Sequence, residues 1–474
     1  MKKKHGHLLK VILVMGLILF IGYKILLPEI KGDNIYENEK EEVKRLRNKQ
    51  DLVKINKNKL LKSTMSMNKS INHLRGAKIY KQDVIDELKN TYRINWNYKL
   101  KESPWNIAAN WFSSEHVFPE NTPELELRKG RATEKRVVYI SGFWLGGDKR
   151  QGAVLREMAT RRIIAAYNGK SGSQLKMTLK LEGGQTVAFK PQWYPRDKII
   201  DGVIYSGADR HNGEIAAFHL SRLLDIRRTF LSVGRVVDME TDIRPVADPS
   251  LLDTFFYKNT STCFYGKCYY CKGEETGVCA DGTKLEGTLI LWLPLQALPL
   301  KKIRHPWARN YKSPTALAKW QTNKDYCMDT VLVQGQFKTG RLLLDVIDSS
   351  ILDYLISNGD RHQLEYSTKI YDNPFMLALD HGKSFGNPYH DEKSILAPLF
   401  QCCRIRESTW LRLLMFDDGI LSEVLEDVLS SDPIAPVLNK LHLNSLDRRL
   451  KNVLNTIRLC IAKFNVEKVL IKNR

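Results

Sequence analysis

The chain carries no G-x-G-x-x-G fingerprint and no P-loop, so no glycine motif announces a nucleotide. It has one C-x-x-C pair, "CYYC", and no second pair or His pair at ribbon or finger spacing, which argues against zinc. No zinc-finger or RNA-binding signature accompanies its positive charge, so no nucleic acid partner is expected. There is no internal repeat. No long Gly/Ser or Pro linker interrupts residues 130–470, so one two-lobed domain is simpler than two independent ones. Cysteine is absent before Thr262. No small-x-small pattern follows the apolar N-terminal run, which disfavours a cleaved signal peptide.

What is present starts with 474 residues, enough for one large domain or two ordinary ones, and an ordinary apolar fraction of 43%. The net charge is +21, but lysines crowd residues 2–80, so much of the excess lies outside the expected folded part. "MKKKHGHLLKVILVMGLILFIGYKILLPEI" has a basic head and then an apolar run. The run covers residues 8–27 if Lys10 and Lys24 snorkel, which is the length of a spanning helix. The basic head predicts a cytoplasmic tail at residues 1–7, a signal anchor at 8–27 and a body in the lumen or outside. The eight cysteines agree, because an even set of disulfides suits an oxidising compartment. Adjacent Cys402 and Cys403 are expected to bond different partners, and "NKS" at Asn68 and "NTS" at Asn259 are glycosylation acceptors usable there.

Residues 28–75 read as a stem with opposite charges at helical spacing. The domain then runs over 76–474, with a strand-rich first lobe at about 76–293 and a helical second lobe at about 294–474. "SQLKMTLKL" and "QTVAFKP" flank "EGG" as a hairpin whose Leu175, Met177, Leu179 and Leu181 face a core. "GEIAAFHLSRLLDI" reads as a helix, "EGTLILWLPL" as a buried strand ended by Pro294, and "RLLLDVIDSSILDYLI" as a helix. A cleft between such lobes suits a nucleotide.

Four side chains could serve that cleft. Lys190 ends the apolar strand "TVAFK", close to the kinase pattern V-A-I-K, whose lysine pairs with phosphates and a helix glutamate. Glu214 begins the next helix. Asp209 precedes it by five residues and would share no helix face with it, so the two meet only if Asp209 lies in the loop. "LISNGDRHQLEY" then ends an apolar helix in a cluster of charge, with Asp360 as candidate base and Glu365 five residues on. "NPFMLALDHG" ends an apolar strand in Asp380 before a glycine, where a metal-binding acid stands in kinases. Phosphoryl transfer needs this set: carboxylates for Mg²⁺ or Mn²⁺, a cation on the phosphates, and an acid to orient the acceptor hydroxyl. Without a glycine fingerprint, an ordinary cytosolic protein kinase is excluded as a close match, and any phosphate cover must come from "SGSQLK" and "EGGQ".

"FKP", "RHNGEIAAFHL", "CFYGKCYYC", "GDRHQLE", "SILAPLFQCCRIREST" and "DPIAPVL" together resemble the secretory-pathway kinase family that contains the Golgi casein kinase and the glycosaminoglycan xylosylkinase. The resemblance spans about residues 130–465, and "KSFGNP" and "SILAPL" are closer to the xylosylkinase branch. It implies an α+β, two-lobed, atypical protein-kinase-like fold stapled by disulfides Cys263–Cys279, Cys268–Cys271, Cys327–Cys402 and Cys403–Cys460. It implies ATP with Mn²⁺ or Mg²⁺, and phosphate transfer to the 2-hydroxyl of xylose in the galactose–xylose linkage glycan of proteoglycans. The alternatives are a Ser/Thr protein kinase of the same fold and a pseudokinase that activates one. The implied roles are Asp360 as base, Asp380 as main metal ligand and nucleotide contact, Asp209 as second metal ligand, and Lys190 on phosphate, paired with Glu214. Gln174 and Glu365 would contact the nucleotide, and Leu291, Trp292 and Leu293 would cradle adenine. The resemblance further implies a single-pass type II Golgi membrane protein with a lumenal catalytic domain, able to form a homo- or heterodimer with a related kinase. Three positions depart from the family: Asp209 replaces the usual Glu, Gln363 and Leu364 replace the middle of D-R-H-H-Y-E, and His381 replaces the usual Asn. The acceptor at this stage is a short neutral glycan, so aromatic faces should recognise it. Trp193, Trp307, Trp320 and Tyr389 are candidate platforms, with a buried structural role the expectation for each.

Overall fold

Alternating apolar and polar residues build the first lobe. The computed structural model describes residues 77–100, 149–169, 172–292, 300–311, 316–338, 340–367 and 375–472. The expected tail, the anchor at 8–27, the stem at 28–75, Asn68 and Leu293 lie outside them. Helices α1 (Ala77–Tyr92) and α2 (Lys149–Thr160) precede strands β1 (Ile163–Asn168), β2 (Met177–Leu181) and β3 (Thr186–Pro191). Leu175, Met177, Leu179 and Leu181 are each at most 3% exposed, so the alternating face is the buried one. Pro191, which has no N–H to give a ladder, is the last residue of β3.

Helix α3 (His211–Leu223) and strand β4 (Ser232–Asp238) follow. A short ribbon of β5 (Phe255–Lys258), β6 (Ser261–Phe264) and β7 (Val278–Cys279) then leads to β8 (Lys284–Leu291). Among the described residues the main sheet has the order β1-β2-β3-β8-β4. Phe189, Phe218, Val233 and Leu289 anchor its core. Strand β8 stops at Leu291, short of the expected stop at Pro294, which is outside the described residues.

The second lobe is mostly helical. Helix α4 (Arg341–Ile356) is buried at every residue after Arg341, which explains why it carries apolar residues on all its sides. Its three aspartates are all paired, as burial requires. Asp345 takes Arg228 at 2.7 Å and Arg406 at 2.5 Å. Asp348 accepts from Arg406 and from Thr409 at 3.0 Å. Asp353 holds Arg361 bidentately at 2.7 and 2.8 Å. Beside α4 lies a small sheet in the order β11 (Phe375–Leu377), β10 (Gln363–Ser367) and β9 (Lys301–Arg304). Helices α5 (Ala397–Cys402), α6 (Glu407–Met415), α7 (Ile420–Leu429) and α8 (Lys440–Phe464) complete the lobe.

Helix α1, assigned to the first lobe by position in the chain, docks on α7: Lys89 meets Glu423 at 2.7 Å, and the Ile94 amide donates to Ser431 at 2.9 Å. Disulfides join Cys263 to Cys279, Cys268 to Cys271, Cys327 to Cys402 and Cys403 to Cys460. Cys263 and Cys279 stand directly opposite on β6 and β7. Adjacent Cys402 and Cys403 close the C-terminal end of α5 and tie that end to Cys327 and to Cys460 of α8. Among the described residues no helix is long and apolar enough to cross a membrane.

Candidate active site

Lys190 sits on β3 opposite Thr288 of β8. Its ammonium is 2.7 Å from Glu214, 2.9 Å from Asp209 and 2.6 Å from Asp380. Burial alone would lower its pKa, but Asp209, Asp380 and Glu214 together push it well above the ordinary lysine range. Helix α3 begins at His211, so Asp209 is in the preceding loop and reaches the same cation as Glu214.

Small residues allow this convergence. A Cβ on Gly213 would stand 2.8 Å from the His381 carbonyl, so glycine lets α3 press against the turn after Asp380. A Cβ on Gly382 would stand 2.4 Å from the Asp209 carboxyl carbon. The Arg210 amide donates to the Gly382 carbonyl at 2.7 Å, and its guanidinium donates to the carbonyls of Lys383 and Ser384. Glu214 accepts from the His381 amide at 2.9 Å and meets the His381 ring at 3.2 Å. Burial would raise the Glu214 carboxyl, yet Lys190 and His381 hold it at about 2.

Asp380 adopts φ +61°, a left-handed conformation that costs a non-glycine residue about 1–2 kcal/mol. Its side chain stays 67% exposed at the cleft while Lys190 holds its carboxyl far below the usual range. Asp209 is the opposite case: burial raises its carboxyl, Lys190 opposes, and Asp380 adds to the rise.

Asp360 follows α4 through Ser357, Asn358 and Gly359. A Cβ on Gly359 would stand 2.2 Å from Ile204, so glycine lets the loop before α3 lie against this turn. Asn358 donates to Asp353 at 3.1 Å and accepts from the Asp360 amide at 3.2 Å. Arg361 bridges Asp353 to the Leu379 carbonyl, one residue before Asp380. One brace thus sets the positions of both acids. Burial raises the Asp360 carboxyl, while a hydrogen bond from Tyr311 and the nearby His362 pull it back.

A cleft of about 790 Å³ opens beside Asp360. Gln174, Trp193, Tyr205, Tyr270, Tyr311 and Lys383 are among its lining residues. The rings of Tyr205 and Tyr311 lie 4.8 Å apart, and Tyr311 packs edge-on to His362.

The structure therefore gathers Lys190, Asp209, Glu214 and Asp380 at one point, and Gln174 and Asp360 on the cleft. Leu291 is buried in the sheet, and Trp292 is 45% exposed beside it. Glu365 sits on β10 opposite Leu377 and Lys302, with Lys302 3.7 Å away. Of the aromatic candidates, Trp193 lines the cleft, Trp307 and Trp320 are buried with their indole N–H groups bonded to Gln401 and Ala308, and Tyr389 is exposed. Sequence reasoning missed Tyr205, Tyr311 and Lys383. Lys383 lies in the "DHGK" run and reaches 3.7 Å from Asp209; the tyrosines carry no local signal.

The donor set suits a divalent ion shared with a nucleotide. Asp209 and Asp380 supply hard oxygens on the two sides of one lysine. No all-protein cage of three or more ligands stands among the described residues, and a phosphate-bridged Mg²⁺ or Mn²⁺ needs only one or two carboxylates.

A strand lysine held by a helix glutamate, a strand-end aspartate and a loop aspartate, beside an interlobe cleft that opens on Asp360, define a kinase-fold phosphotransferase. Residues 133–469 match the family model described as "Golgi casein kinase, C-terminal, Fam20". The chain belongs to the Fam20 family. It is 46% identical to the human (Homo sapiens) glycosaminoglycan xylosylkinase over 79% of this chain and 84% of that one. A hydra Fam20 structure with sugar superposes with a TM-score of 0.66 at 44% identity, covering 69% of this chain and 94% of that one. The Golgi casein kinase with Mn/ADP bound superposes with a TM-score of 0.67 at 34% identity, covering 69% and 80%.

Proposed function

We propose that this chain transfers the terminal phosphoryl group of ATP to the 2-hydroxyl of xylose in the linkage glycan of proteoglycans. One observation carries the reading. Lys190 gathers Asp209, Glu214 and Asp380 at one point, and Lys383, 3.7 Å from Asp209, lines the adjoining cleft that opens on Asp360, in a chain this similar to xylosylkinases. Lys190 draws the phosphates to the end of β3, and Glu214 fixes its direction. Gln174 borders the phosphate cover, Glu365 faces the nucleotide from β10, and Leu291 and Trp292 flank adenine. Asp209 and Asp380 would hold Mn²⁺ or Mg²⁺, which when bound neutralises charge on the phosphates.

Asp360 accepts the proton of the acceptor hydroxyl as its oxygen bonds to phosphorus and the bond to ADP breaks. Tyr311 donates to Asp360 and leaves its other oxygen for that proton. Trp193, Tyr205, Tyr270 and Tyr311 offer flat faces on which a sugar ring can rest. Transfer to protein serine uses the same phosphate chemistry, and the similarity to xylosylkinases favours the sugar. The intact base, lysine and acids speak against a pseudokinase. The four disulfides support an oxidising, secretory compartment. Within it, we place the domain in the Golgi lumen behind a single-pass type II anchor at residues 8–27, able to pair with a copy of itself or a related kinase.

The test offers labelled ATP and Mn²⁺ with a galactose–xylose acceptor and, separately, a serine peptide. Transfer to the glycan is expected. Asp360→Ala should still bind nucleotide and lose transfer by about a hundredfold or more. Transfer to the peptide alone, or none to either, refutes the reading.

A further inference from the structure

The hairpin of β2 and β3 pairs Met177 with Phe189 and Thr178 with Ala188. Continued by one residue, that register sets Lys176 opposite Lys190. Directly opposed residues of an antiparallel pair project from the same face, and like charges there repel. Lys190 is surrounded by three carboxylates. Among the described residues no hydrogen bond or ion pair reaches the Lys176 ammonium. The side chain is nevertheless half-buried, and burial together with Lys190 lowers its pKa, against the pull of Asp380, Asp209 and Glu214.

Two glycines direct it. A Cβ on Gly169 would stand 2.6 Å from its Cγ, and a Cβ on Gly172 would stand 2.6 Å from its Nζ. The Lys176 side chain thus runs beneath the glycine turn that leads into Gln174. That turn is held from outside. The Tyr270 amide donates to the Ser173 carbonyl at 3.3 Å, and the loop bearing Tyr270 is closed by Cys268–Cys271. A half-buried, unpartnered cation beside a second cation, under a braced glycine turn, is an arrangement that lacks its anion.

We propose that Lys176 is a second phosphate-binding residue, contacting the polyphosphate tail of the nucleotide from under the Gly172 turn, opposite Lys190. It supplies by a side chain what a G-x-G-x-x-G loop supplies by backbone N–H groups. This rests on reading the cleft as a nucleotide site. It adds that the cover over the phosphates is cationic and that affinity gained there depends on phosphate and not on adenine.

The test is calorimetry on the full chain with Mn²⁺, titrating ATP, ADP and adenosine into wild type, Lys176→Met, Lys176→Gln and Lys176→Arg. ATP affinity should fall tenfold or more in the Met and Gln variants and recover in the Arg variant, while adenosine binds all four alike. The melting temperature without nucleotide should hold or rise, because a like-charge contact is removed. Undiminished ATP affinity in both the Met and Gln variants overturns the assignment while leaving the cleft a nucleotide site, as does an equal loss for ATP and adenosine. Failure of wild type to bind ATP at all overturns the cleft reading itself.

Discussion

Lys190 has three carboxylate partners where one would neutralise it. Such a surplus of negative charge around one buried cation is costly in an isolated protein and useful in one that receives a polyphosphate with divalent cations. The acids respond differently to the same lysine. Asp380 and Glu214 are held ionised, and Asp209 is pushed towards protonation. At Asp360 burial outweighs the hydrogen bond from Tyr311, so its carboxyl titrates above the ordinary aspartate range. A base works only when deprotonated. The acid limb of kcat/KM should therefore lie above the pH at which a free aspartate titrates. Tyr311→Phe removes a bond that favours the charged form, so it should shift that limb to higher pH. A shift to lower pH in the measured profile would contradict this assignment of Tyr311.

Elements matter here for what they hold still. Helix α4 ends in the turn that carries Asp360, and Asp353 on its last turn grips Arg361, which in turn grips the backbone before Asp380. Asp353→Ala leaves a buried guanidinium unpaired. It should cost about 3–5 kcal/mol of stability in denaturant melts, with a fall in kcat larger than any change in KM for nucleotide. A variant as stable and active as wild type would show the brace to be dispensable. The β5–β6 hairpin gives a second element-scale expectation. Asn259 lies at its exposed turn with φ +54°, a conformation asparagine tolerates. Protein secreted from animal cells should carry one glycan there, seen as a mobility step lost in Asn259→Gln and on endoglycosidase treatment.

At the scale of the whole molecule, charge and hydrogen bonds join the two lobes, and disulfides staple each lobe internally. Arg228, just before β4, reaches Asp345 of α4, and Asp432, from the loop before α8, accepts the Gly234 amide of β4 at 3.0 Å. Cys327–Cys402 and Cys403–Cys460 close loops of 75 and 57 residues in sequence separation. Disulfides typically contribute about 2–4 kcal/mol, and the loop-entropy account puts loops of this length at the top of that range. Mild reductant, or Cys403→Ser with Cys460→Ser, should lower the melting temperature by several degrees or more. An unchanged melt would mean that packing alone holds the helical lobe.

The residues and motifs by themselves determined much of this protein. Period-two alternation marked the β2–β3 hairpin, because one-sided burial imprints itself on local spacing, and long apolar runs at helical spacing marked α3 and α4, which are buried on all sides. The end of "TVAFK" and the strand end before "DHG" marked Lys190 and Asp380, because charge at the close of an apolar run needs a reason. The order of acids and lysine, together with long motifs, marked the family, and the resemblance to that family implied the disulfide pairing. Tertiary structure alone decided the rest. It placed Asp209 and Glu214 on one cation, set α1 against α7, and brought Tyr205 and Tyr311 to the cleft at Asp360. It also left Lys176 facing Lys190 without a partner among the described residues. Those relations depend on distances between remote segments. Nothing in the neighbourhood of a residue along the chain records what folding will set beside it.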